Sequence, residues 1–135
     1  MATISSALRT RLINFAGIST LISARVYPAP IPQNPTYPLV TYQKISGPRD
    51  YVMGNQSGLV RARFQLDTWA ETYGECEALA DQVRLALSNY SGTSDTITID
   101  WIALDNEQGP LYDDDADLQR CIQDYMIDYR ESLPS

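Results

Sequence analysis

The 135-residue chain contains no histidine and only two cysteines. Without imidazole there is no Ser-His-Asp or Cys-His nucleophile pair, no histidine-based metal site and no imidazole general base. Two thiols are too few for a structural zinc site of known type. Cys76 falls on an apolar helical stripe and Cys121 on an apolar strand face, neither with a basic helper beside it, so both are expected as small core residues. A cytosolic chain would keep them reduced. No apolar run approaches the ~20 residues that span a bilayer. The stretch from Met1 to Phe15 is amphipathic and interrupted by Arg9 and Arg11, unlike a signal-peptide core, so a cytoplasmic product without membrane association is expected. Glycine-rich phosphate loops and serine-hydrolase signatures are missing. Seventeen acids allow many carboxylate pairs, but nothing marks one pair as buried or coupled. No enzyme, metal or cofactor is expected.

What is there is the composition of an ordinary globular protein, 44% hydrophobic and 20% charged. One domain over residues 1–135 is expected. The net charge of −7 conceals a split: Met1 to Ala70 carries seven basic and two acidic residues, Glu71 to Ser135 three basic and fifteen acidic. A chain this acidic is repelled by nucleic-acid backbones. The split has two readings: halves that interleave in space, or a subunit with a positive and a negative flank suited to head-to-tail association.

Along the chain, Ile4, Ala7, Leu8, Leu12 and Phe15 share a helical face, with Thr3 or Ser5 as cap and Gly17 as stop. Ile18 to Ser23 suits a short further turn of helix. Tyr27 to Pro38 holds five prolines and reads as an extended connector across the domain edge, or as a ligand for a proline-recognising module. Leu39 to Ile45 predicts a strand. Val60 to Trp69 predicts another, with Val60, Ala62, Phe64 and Leu66 on one side and Arg61, Arg63, Gln65 and Asp67 on the other. Ser46 to Gly58, between them, reads as a long functional or mobile loop. Glu71 to Tyr90 is the best helix, with Thr72 and Glu75 as a capping box. Ile97 to Leu104 and Leu118 to Tyr129 predict two more strands, joined by an acidic connection from Asp105 to Asp117. Asp113, Asp114, Asp115 and Asp117 admit a hard-cation site. They lack the alternate spacing, glycine and closing glutamate of the familiar calcium loop, and read better as a solvated turn. The expected architecture is α+β, an antiparallel or mixed four-stranded sheet with two helices on one face, in the order α-β-β-α-β-β.

The loop offers Arg49, Asp50, Tyr51 and Met53, residue types enriched where proteins meet proteins. Within Ala24 to Gly92 several runs occur in order: Arg25-Val26-Tyr27-Pro28, Pro32-Gln33, Pro38-Leu39-Val40-Thr41-Tyr42 and Ile45-Ser46-Gly47-Pro48-Arg49-Asp50-Tyr51. Val60 to Ala70 and Ala78 to Arg84 follow, and Asp124-Tyr125 with Ile127 fits a final strand. In their order and spacing these resemble the tail completion (tail terminator) proteins of long-tailed, non-contractile bacteriophages. The resemblance implies a non-enzymatic virion component of the tail or neck, assembled in the host cytoplasm as a hexameric ring. Such a ring caps the head-proximal end of the tail tube, ends its polymerisation and meets the head–tail connector (stopper) protein, with genomic DNA only passing through the lumen. A rival assignment is another neck part, a connector adaptor or stopper. The loop residues Arg49, Asp50, Tyr51 and Met53 are expected to dock on the tube or the next subunit. Arg61 and Arg63 are expected to pair with acids of the adjacent subunit.

Overall fold

The elements run α1 (Ile4–Asn14), α2 (Ala16–Ile22), β1 (Val26–Pro28), β2 (Leu39–Ser46), β3 (Arg49–Val52), β4 (Asn55–Ala70), α3 (Tyr73–Leu87), β5 (Gly92–Ser94), β6 (Ile97–Asp113) and β7 (Leu118–Arg130). The computed structural model describes residues 3–47, 49–52 and 55–130, and over 49–52 and 55–58 the backbone alone. Among these residues the expected four-stranded sheet with two helices is corrected to seven strands and three helices.

α1 and α3 each begin where a hydroxyl satisfies an otherwise unpaired backbone N–H, whereas α2 follows Phe15 with no side-chain cap. At α1 the pairing is reciprocal: Thr3 Oγ1 accepts from the Ser6 amide at 3.1 Å, and Ser6 Oγ accepts from the Thr3 amide at 2.9 Å. Phe15, in extended conformation, separates α1 from α2, so Gly17 lies inside α2 rather than ending the first helix. At α3, Thr72 Oγ1 accepts from the Glu75 amide at 3.3 Å. Arg11 of α1 closes the other end of α3, its Nε donating to Ala86 O at 2.8 Å while its guanidinium lies 4.1 Å from the Tyr90 ring centroid. A cation at the carbonyl end of a helix is favourable.

The strands lie in the order β1-β2-β4-β7-β6-β5, a curled mixed path, and β3 pairs with β4 beyond β2. Among the described strand pairs only β1–β2 is parallel. β2 and β3 follow each other along β4, so the stretch expected as a long loop is mostly the outer end of a hairpin. The expected acidic connection is likewise strand: β6 stays paired with β7 out to Asp113 and Leu118.

Three register shifts on β6 carry much of the difference from the sequence pattern. Ile99 faces Tyr129, but Trp101 faces Asp128 and Ile102 faces Ile127. The extra residue at Asp100 reverses the alternation. Ile99 and Ile102 are therefore buried, whereas Trp101, which strict alternation would put on the same side as Ile99, is half exposed. At the shift between Gln108 and Leu111, Gly109 has φ +101°, and a Cβ there would lie 2.6 Å from Arg120 O. Only glycine fits.

The main core joins Leu8 and Leu12 of α1, Ile18 and Ile22 of α2 and Leu79, Val83 and Leu87 of α3 to the inner rows of the sheet. Those rows include Val60, Ala62, Phe64 and Leu66 of β4 and Tyr125, Ile127 and Tyr129 of β7. A smaller cluster of Ala70, Cys76, Ala80 and Cys121 lies under the first turns of α3.

Candidate assembly surface

The alternation that buries Val60, Ala62, Phe64 and Leu66 turns Arg61, Arg63, Gln65, Asp67 and Trp69 to the sheet's other face. Antiparallel pairing sets β7 and then β6 beside this row. Opposite charges meet there. Arg61 Nε lies 2.8 Å from Asp128 Oδ1, and Arg63 Nη1 lies 2.8 Å from Asp105 Oδ2. Arg120 Nη2 lies 2.7 Å from Asp67 Oδ2, and Arg130 Nε lies 3.2 Å from Asp100 Oδ2. The Arg120 guanidinium also stacks 4.8 Å from the Trp69 ring centroid, and Trp69 Nε1 donates to Thr41 Oγ1 at 3.1 Å. The hydrogen bond to Asp128, followed by its charge, holds the Arg61 guanidinium above its ordinary pKa.

Arg61 and Arg63, predicted to reach a neighbouring subunit, thus have carboxylates within their own chain. Arg61 remains 65% exposed, so its outer side stays open. Arg49, Asp50 and Tyr51 stand on β3 in the hairpin with β4. Their side chains, and Met53 altogether, lie outside the described residues. Sequence reasoning missed Asp105, Asp128 and the Asp67–Arg120–Trp69 group as partners on this face. The usable signal was the polar alternation of β7 (Arg120, Asp124, Asp128) matched against that of β4.

The acidic end of the β6–β7 hairpin has internal employment for its carboxylates. Asp113 Oδ1 accepts from the Ala116 amide at 3.1 Å, the local bond by which aspartate closes turns. Asp117 accepts from Tyr112 Oη at 2.5 Å. That bond first, with some desolvation and the charges of Asp117, Asp114 and Asp113, raises the Tyr112 pKa. Among the described residues no group of three His, Cys, Asp or Glu side chains is arranged to hold a metal ion. None of their helices is long and apolar enough to cross a membrane. Leu111 and Tyr112 near this end, and Trp101 and Ile45 elsewhere on the sheet, are half exposed. The surface offers paired charges with scattered apolar side chains, a mixture suited to protein contact.

Residues 6–130, from the first turn of α1 to the end of β7, match the family described as Tail completion protein gp17. The chain belongs to this phage tail completion family. The resemblance read from the ordered sequence runs is thereby confirmed. Members of the tail completion family are structural components of the virion tail, and the chain is a phage tail structural protein. Its fold is shared with a chain from the virion of a native gene transfer agent particle, at TM-score 0.77 and 14% identity over 94% of each chain. At that identity the likeness is one of fold. No curated protein matches the chain.

Proposed function

We propose that this tail completion protein forms a ring, a hexamer by resemblance to tail terminators. The ring caps the head-proximal end of the tail tube, ends tube polymerisation and presents a surface to the head–tail connector. In this reading residues 1–135 act as one domain, and DNA passes through the lumen without being gripped. The observation that carries the reading is the family match, which runs through every element of the fold. A closed ring needs two unlike patches on each subunit. The Ser46 to Gly58 stretch, whose sequence includes Arg49, Asp50, Tyr51 and Met53, is proposed to dock on the tube or the next subunit. The face bearing Arg61 and Arg63 is proposed to take part in ring closure. Host cytoplasm is the proposed place of assembly and the tail or neck of the virion the final location.

The test is electron microscopy of lysates from phage lacking the gene, and from phage with Asp50 to Asn55 deleted. Overlong or headless tails in both are expected. Leaking or tailless heads would assign the protein to a connector adaptor or stopper instead. Tails of normal length joined to heads in the shorter deletion would remove this stretch from the docking role.

A further inference from the structure

The two cysteines meet. Cys76 stands in the first turns of α3 and Cys121 near the start of β7, 45 residues apart in sequence, with their sulfurs 3.4 Å apart. Both are buried, in a small cluster completed by Ala70 and Ala80. Those alanines leave room for α3 to approach the sheet, and Thr68 faces Cys121 across the β4–β7 ladder. The Thr68 carbonyl lies 3.5 Å from Cys76 Sγ. Closing the sulfurs from 3.4 Å to the bonded distance of about 2.05 Å is a shift of roughly 1.4 Å. The pair is chemically asymmetric. A Cys76 thiolate is stabilised by the hydrogen bond from Cys121, whereas that bond and burial push the Cys121 thiol up. Cys76, on the first turns of a helix, is placed to be the attacking thiol, and Cys121, held within the strand ladder, the resolving one.

We propose that Cys76 and Cys121 form a dithiol–disulfide site that locks α3 to β7 when the folded subunit meets a small-molecule disulfide. The Cys76 thiolate attacks one sulfur of the small disulfide, forming a mixed disulfide and releasing one small thiolate. Cys121, losing its proton to that thiolate, then attacks Cys76 Sγ. The protein disulfide forms and the second small thiolate leaves with a proton from solvent, replacing the one Cys76 gave up. Two protein thiols are oxidised and one small disulfide is reduced to two thiols. Opening of the first turns of α3 admits the oxidant, because helix ends are the least protected part of a helix. In a reducing cytosol the pair stays open, and in an oxidising medium it closes. The chemistry does not depend on the ring reading; its timing relative to particle release does.

The test uses the purified full chain, incubated folded with oxidised glutathione. Intact mass should fall by two hydrogens, and a digest without reductant should contain a peptide joining Cys76 to Cys121. The melting temperature should rise on the order of 10 °C, as expected for closing a loop of this length, and reductant should reverse it. In Cys121→Ala a glutathione adduct at Cys76 should replace the internal bond. Two free thiols after incubation of the wild-type chain, stable glutathione caps on both cysteines, or links only between chains would overturn the proposal. Because the readout is made on the isolated subunit, its failure would leave the tail-capping reading untouched.

Discussion

Among single residues, Gln123 and Tyr125 show how a polar group survives in the core. Both are fully buried. Gln123 Nε2 donates to Ala80 O at 3.1 Å and to Glu107 Oε2 at 2.5 Å, while its Oε1 accepts from Tyr125 Oη at 3.1 Å. The side chain thus ties α3, β6 and β7 together, and its bonds offset the cost of burying an amide. Burial, and secondarily the Glu107 charge, push the Tyr125 phenol well above its ordinary value of 10.0. The consequence for stability has a definite sign. Below pH 10 the phenol is neutral in both states and costs nothing. Above it the unfolded chain ionises while the folded one does not, so stability falls as pH rises toward the folded value. Urea unfolding at pH 8, 9.5 and 10.5 should show a steep loss above pH 10 in the wild type. Tyr125→Phe should start about 1 kcal/mol less stable at pH 8 through the lost hydrogen bond, yet lose less above pH 10. Equal slopes in the two proteins would remove Tyr125 as the cause.

Elements whose ends carry their own stop and start signals were the ones legible in sequence. In α3 the apolar spacing matches the buried set Cys76, Leu79, Ala80, Val83, Ala86 and Leu87, and Thr72 caps as expected. Thr72→Ala should therefore lower stability by about 1 kcal/mol and the melting temperature by roughly 3–5 °C, with the helix signal retained after refolding. No change by calorimetry would mean that water replaces the cap at no cost. β4 was legible for a similar reason, because one face is covered and the other polar. The other strands hid behind features that usually mean loop. Gly109 and Pro110 look like a turn, yet they form an irregularity inside β6. β1 and β5, at three residues each, are too short to show a period. In the 46–58 stretch, glycines and a proline mask a strand continuation set by pairing with β4. Register shifts and edge strands depend on the partner across the ladder, which a local pattern does not contain.

Over the whole molecule, the charge split largely dissolves by interleaving. Arg9, Arg11 and Arg25 from the basic half each donate to main-chain carbonyls. Arg61 and Arg63 meet Asp128 and Asp105, and Asp67 meets Arg120, so among the described residues three ion pairs join the two sequence halves. Among the described residues this favours the first of the two readings of the split. The outer side of β6 beyond β5 is a poor edge for strand addition, with acidic side chains, bulges and Pro110 along it. The docking candidates were visible as composition, but their pairing within the chain was not, because it follows from which strands become neighbours. The proposed ring closure through the Arg61 and Arg63 face would then work by sharing ion pairs that already exist. Exposed pairs of this kind contribute little to folding. On the proposed ring reading, the wild type should sediment as a ring, and Arg61→Glu with Arg63→Glu should keep the circular dichroism spectrum but sediment as monomer. A charge swap separates this from a folding effect. Arg61→Asp with Asp128→Arg restores the internal pair while reversing the polarity offered to a neighbour. The swap should remain monomeric if the neighbour reads that polarity; rings from both variants would place the closing contact elsewhere on the subunit.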